Sequence, residues 1–511
     1  MRNRPDRALA ALVLALAAGF AACGTGNGNP ADDAATGGDE AVTPDAAETA
    51  EPQDAIDDPD AADAAEVPAA PVCRARVHGA AGDGTTLDTA AIQAAVDACA
   101  GTGGTVLLEA GTYYSGTIVL KSGLTFRLEA GATLLGSQAR EDWTGPGLLI
   151  AEGAQDLVVE GPGTIDGNGL FWWTNLLVGE DHWRPERLVR LTDCRRVTIR
   201  DLFLTQSPKW TLHLLHSDDV LVDGVRIRNM VGDTITSPNT DGIDIDACRR
   251  VEVRRCDIET GDDCIVLKNG TEGWRRESYD IRVHHCTCAA WANGFKIGTR
   301  PGMDVHGVVF EDSVIQATVD SLPGTRVMGG LTLVSDDGAK VYDITARNLH
   351  MKAVQAPFLL RVQERDLGDE EGGRITQAGQ LYDVTIRDVT VDDCALPGMI
   401  LGIPGHPVGS VTIENVSVTS SEGGSVADRE ADPGERNLEY PDAPYFDTMP
   451  AFGVFARHVE GPLVLRPTVS FASSAPSEGR AAVVLEDVAQ RDLSGIAAGA
   501  EVVDRDAATG P

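Results

Sequence analysis

Three aspartates recur at matched places in two short apolar runs, Asn239-Thr240-Asp241-Gly242-Ile243-Asp244-Ile245 and Gly261-Asp262-Asp263-Cys264-Ile265-Val266-Leu267. Paired carboxyl groups suit glycoside hydrolysis, in which one keeps a proton for the departing oxygen and another, ionised, takes a proton from water. Crowding three acids raises the cost of the last ionisation and keeps one protonated at working pH. Asp262 is expected to be that acid, with Asp241 and Asp263 sharing the water. An acid-to-base gap of roughly 6.5 to 9.5 Å would give inversion. The same residues could otherwise cap turns or bind calcium, so spacing alone leaves those readings open.

These groups need a scaffold that stacks them. Alternate residues of a strand face one side, so Ile243/Ile245, Ile265/Leu267 and Phe295/Ile297 mark the inward positions of three successive strands. Two residues ahead of each pair stand Asp241, Asp263 and Asn293, expected in adjacent coils about 4.8 Å apart. Strict alternation would turn them inward, which unpaired carboxylates do not tolerate. They are therefore expected on the turn before each strand, with Gly242 and Gly261 supplying backbone freedom. The outward positions form a second column: His213, Asp244, Val266, Lys296 and Thr332.

The rest of the chain repeats in the same manner. Alternating β-branched triplets occur at Val197-Thr198-Ile199, Val220-Leu221-Val222, Val251-Glu252-Val253, Ile281-Arg282-Val283, Val308-Val309-Phe310, Ile344-Thr345-Ala346, Val384-Thr385-Ile386 and Val411-Thr412-Ile413. Their irregular spacing excludes strict solenoids and suits an all-β parallel β-helix with loops of variable length, one elongated domain over 73–498; the fold expected is the right-handed form. With Gly 56 and only 5% aromatic residues, the composition also suits short strands and many turns. Thr89 to Cys99 reads as the one clear helix, capping the first coil.

The ends differ. Arg2, Arg4 and Arg7 precede an apolar run to Ala22, the plan of an export signal over 1–23, and Phe20-Ala21-Ala22-Cys23 resembles a bacterial lipobox with Cys23 as the lipid-bearing residue. Residues 24–72 form an acidic Ala/Asp/Pro linker, and 499–511 a tail. The chain is expected at the cell surface or outer membrane as a lipoprotein, otherwise secreted, and as a monomer that touches membrane only through that anchor. A net charge of −36 argues against nucleic acid. No zinc spacing, phosphate loop or other cofactor motif stands out, so no cofactor or metal is expected.

Val77-His78-Gly79-Ala80-Ala81-Gly82-Asp83-Gly84, the helix and Gly103-Gly104-Thr105-Val106 resemble the opening of the pectate-lyase-like β-helix superfamily. Within it, Ser207-Pro208-Lys209-Trp210, Asn239-Thr240-Asp241 and Gly261-Asp262-Asp263 resemble glycoside hydrolase family 28, the polygalacturonase family. The family's Gly-His-Gly is represented by Ala292-Asn293-Gly294, and its Arg-Ile-Lys falls near Gly330-Leu331-Thr332. Gly402-Ile403-Pro404-Gly405-His406, Tyr440-Pro441 and Arg457-His458 look like a bacterial branch. The resemblance implies an inverting hydrolase of pectin-like, uronate-containing polysaccharide, with Asp241, Asp262 and Asp263 catalytic. It also suggests a Cys264–Cys288 disulfide. A second bridge, Cys73–Cys99, would pin the helix to the first strand.

For an anionic substrate the charge must come from the chain. Lys296, on the outward column beside the aspartates, is the leading candidate, with Lys268 and Arg361 behind it and Asn239 and Asn293 as hydrogen-bonding partners. Asn293 cannot titrate as the family histidine does. Trp210 reads as structural rather than sugar-stacking. Two rivals share the fold: a polysaccharide lyase, which needs a basic residue at the α-proton, and a non-catalytic polysaccharide-binding β-helix.

Overall fold

The computed structural model describes residues 70–506 apart from 179–181, 230–236, 319–324, 337, 365–377 and 467. The expected signal, the Cys23 lipobox and nearly all of the linker lie outside the described residues.

Short β-branched runs separated by turns form strands that cannot bury their apolar side alone, so each pairs with the equivalent run one coil on. The eight triplets named above become one continuous inward column. Val197 pairs with Val220, then in turn Val251, Ile281, Val308, Ile344, Val384 and Val411, in parallel throughout. The result is a right-handed parallel β-helix, the handedness that parallel crossovers adopt. Early coils carry three separate strands. From Val305–Gln316 onward two faces merge, since that strand pairs with both Ser278–His284 and Thr287–Ala290. Corners recur as columns of left-handed residues, one running Arg196, Asp219, Arg250, Asp280 with φ of 53–57°. Opposite charges tie this column together: Arg196 Nε lies 2.7 Å from Asp156 and Arg250 Nε 2.5 Å from Asp219.

Helix α1 (Thr89–Cys99) buries Ile92, Ala95 and Val96, and the Cys73–Cys99 disulfide joins it to the strand Val72–Arg74. A second helix, α2 (Gly169–Val178), was not anticipated. Its aromatic residues explain it: Trp172 packs edge-on against Phe171, Trp183 and Trp143 at 4.9, 5.3 and 6.3 Å, a cluster with no place in a β-coil. The stack also continues past Ala498, because Val502–Asp504 pairs with Val483–Leu485. The expected Cys264–Cys288 bridge is absent. Both residues are buried thiols facing the apolar interior, where mutual contact fills space without a bond.

Six successive strands form the face that bears the aspartates: β1 (Trp210–Leu215), β2 (Ile243–Asp246), β3 (Ile265–Asn269), β4 (Asn293–Pro301), β5 (Val327–Ser335) and β6 (Val354–Val362). Leu212, Ile243, Ile265, Phe295, Leu331 and Phe358 are in register along them and point into the core.

Candidate active site

That register dictates the site. Asp241 and Asp263 sit on the turns leading into β2 and β3, and Asn293 is the first residue of β4. The Gly242 N–H donates to the Asp263 carbonyl at 2.9 Å and the Cys264 N–H to the Asn293 carbonyl at 2.8 Å, so the three are neighbours in adjacent coils. The outward column is likewise as expected: His213, Asp244, Val266, Lys296 and Thr332 are in register. The glycines work differently from the expectation. Neither Gly242 nor Gly261 has a positive φ. A Cβ on Gly242 would lie 2.5 Å from the Cys264 carbonyl oxygen, and one on Gly261 2.4 Å from that of Ser237, so close approach of backbones requires them.

One carboxylate oxygen from each of Asp241, Asp262 and Asp263 lies within 4.8 Å of the others. Asp241 and Asp263, only 3% and 4% exposed, each have a lysine. Lys268 Nζ is 2.8 Å from Asp241 Oδ2 and 2.6 Å from Asp244 Oδ1. Lys296 Nζ is 3.3 Å from Asp263 Oδ2 and 3.2 Å from Asp442 Oδ1. Burial alone would depress both lysines, yet the surrounding carboxylates outweigh it and raise them. Asp263 also accepts from Asn293 Nδ2 at 2.7 Å. Among the described residues Asp262 has no such cation at bonding distance. It accepts from the Asp263 N–H at 2.9 Å and from Asn239 Nδ2 at 3.4 Å. Burial, then the charges of Asp241 and Asp263, push its carboxyl well above the usual range. The nearest oxygens of the trio are closer than the roughly 6.5 to 9.5 Å expected between an inverting pair. Among the described residues this trio is the one group close enough to hold a metal ion, but the two ammonium groups already supply the countercharge.

A buried polar layer lies behind the trio. Burial raises Asp244 well above the usual range even beside Lys268. His213 accepts from Arg187 Nε at 3.0 Å on Nδ1 and turns Nε2 toward Asp246 at 3.5 Å. Burial pushes it down to about 4, so it stands neutral.

The three expected substrate cations each have partners within the protein. Lys296 is 1% exposed and lies between Asp263 and Asp442. Lys268 is held likewise by Asp241 and Asp244. Arg361 is buried, donating to the backbone carbonyls of Glu435 and Arg436, and lies over the Phe446 ring. The Trp210 ring has Arg187 at 3.8 Å and Lys268 at 3.6 Å, which makes it a cation platform. Asn239 is exposed at the rim with φ 57°, a conformation Asn tolerates.

Two contributors escaped sequence reasoning. Arg184, buried and pushed down by burial to about 10, donates to Asn239 Oδ1 at 2.6 Å and to the carbonyls of Pro208 and Pro238, fixing the Asn239 turn. Asp442 arrives from a distant loop, where the only signal was its place after Tyr440-Pro441.

Residues 100–431 match the profile described as "Glycosyl hydrolases family 28". A "Probable polygalacturonase" from Vitis vinifera is 28% identical over 66% of this chain and 72% of its own length. An "Endo-polygalacturonase" from Pectobacterium carotovorum subsp. carotovorum is 28% identical over 65% of this chain and 84% of its own. The structure of a family 28 exopolygalacturonase from Yersinia enterocolitica superposes with a TM-score of 0.57 at 19% identity, covering 85% of this chain and 78% of that one, which shows the shared fold. With an acid cluster on a parallel β-helix and a profile match across most of the domain, the chain belongs to glycosyl hydrolase family 28 and is a glycosidase.

Proposed function

We propose that the enzyme hydrolyses α-linked polygalacturonan-like polysaccharide with inversion, Asp262 as general acid and the Asp241/Asp263 pair as the base that activates water. One observation carries the assignment: two of the three carboxylates are matched with a lysine and the third is not. Asp241 and Asp263, each held against an ammonium group, are placed to accept a proton, whereas Asp262 keeps one to donate. The named relatives support the substrate, and Asn239 and Asn293 supply polar contacts at the rim and floor. Release of reducing sugar from polygalacturonate, lost in Asp262→Asn, tests the activity, and NMR of the first-formed anomer tests the stereochemistry. Retention would reject the base assignment.

A lyase needs a lysine or arginine that can take the α-proton. Lys268 and Lys296 are both raised and ion-paired, which unsuits them for that step.

We propose export on the strength of the first residues: the signal-like run and Cys23 support a lipid-anchored protein facing the exterior. Mass spectrometry of the mature N-terminus, with Cys23→Ser as control, tests it. A processed but unmodified N-terminus would reject the anchor.

A further inference from the structure

The outward column changes character along the stack. His213, Asp244, Lys296 and Thr332 give way to Leu359, Met399, Phe455 and Val484, in unbroken register. The apolar part is covered by the segment 432–449, which buries Ala443, Phe446 and Met449 against it. This strap is anchored as well as packed. Gln363 Nε2 reaches the carbonyls of Arg436, Asn437 and Glu439 at 3.3, 3.1 and 2.8 Å, and Arg457 Nη2 lies 2.7 Å from Asp432. Its leading edge stands at the acids: Asp442 bonds both Lys296 and Asn293 at 3.2 Å, and the Tyr440 ring lies 5.1 Å from the Lys296 ammonium. The strap's acids are tied down in turn: Asp432 and Glu435 pair with Arg457, Glu439 and Asp447 with Arg436, and Asp442 with Lys296.

We propose that this strap closes the substrate groove one coil beyond the acid trio, so that the enzyme removes units from a chain end and does not cut within the chain. The inference rests on the polyuronate reading of the site. A groove along a bare β-helix face would let a polymer lie across the acids in both directions. Here the bulk of the strap, seated against Lys296 and Asn293, blocks one direction.

The test uses the whole protein on long polygalacturonate, on the same polymer with reduced reducing ends, and on polymer with unsaturated non-reducing ends. A single short product from the first time point, viscosity nearly constant while reducing groups accumulate, and resistance of one end-modified preparation are expected. Rapid viscosity loss with mixed oligomers, and equal cutting of all three, would overturn chain-end action while leaving the polyuronate reading intact. No cutting of any of them would remove that reading and this one together. Gln363→Ala should loosen the strap, seen as faster proteolysis within 432–449, and shift products toward mixed lengths. Unchanged products from a strap shown to be loosened would remove it as the cause.

Discussion

Asn293 donates its amide Nδ2 to Asp263 Oδ1 at 2.7 Å while its own Oδ1 accepts from Thr332 at 2.6 Å, so a group that cannot titrate holds one of the two proposed bases. Loss of a hydrogen bond to a charged acceptor costs about 1.5–3 kcal/mol. Asn293→Ala should therefore lower kcat about 10- to 100-fold with little change in fold. Asn293→His should add an ionisation near pH ~6.5 to the kcat/KM profile. A profile identical to wild type would show that this position does not communicate with Asp263.

Asp262→Asn should cut turnover by about 10²- to 10⁴-fold, least for substrates with a leaving group that needs no proton. Stability should move the other way. The folded state holds the Asp262 proton more tightly than the unfolded chain, so the wild type is penalised increasingly as pH rises above about 3.9. The variant's Tm should match wild type in acid and exceed it near neutrality. A variant less stable at neutral pH would contradict a raised Asp262.

Lys268→Met strands buried Asp241 without its cation and should cost about 3–5 kcal/mol. Adding Asp241→Asn removes the stranded acid and should restore much of the stability, but not the turnover, because a proposed base is lost. Denaturant unfolding of the single and double variants, beside their kcat values, reads this coupling. Additive losses of stability would reject it.

His213 is neutral in the folded state, held down to about 4 by burial, whereas the unfolded imidazole titrates near ~6.5. Unfolding therefore takes up a proton, and stability should fall as pH drops from about 6.5 toward 4. His213→Gln should flatten that limb of the Tm–pH curve. An unchanged limb would place the acid sensitivity elsewhere.

The stacking of Asp241, Asp263 and Asn293 was legible because Ile243, Ile265 and Phe295 alternate with polar neighbours over the same short period, and inward burial converts that pattern into register. The same logic placed His213, Asp244, Lys296 and Thr332 in one column. It could not say what those side chains touch. Lys296 looked available from its position alone, since the carboxylate that completes its clamp belongs to a loop with no periodicity. Arg361 misled for a similar reason: its outward position was readable, but not the strap carbonyls lying on it. The role of Gly242 was also hidden, because a close approach between coils is a property of the packed stack and leaves no mark on local sequence.

The Lys296–Asp442 contact spans 146 positions of sequence. In a solenoid whose coils add one upon the next, the aspartates can be stacked soon after β4 has docked, yet at that stage Lys296 has only half its partners. Emergence of the chain from its N-terminus makes assembly of this centre sequential, with the scaffold early and its last carboxylate late. A chain that stops before the strap carries all three acids but lacks the carboxylate that completes the Lys296 pair.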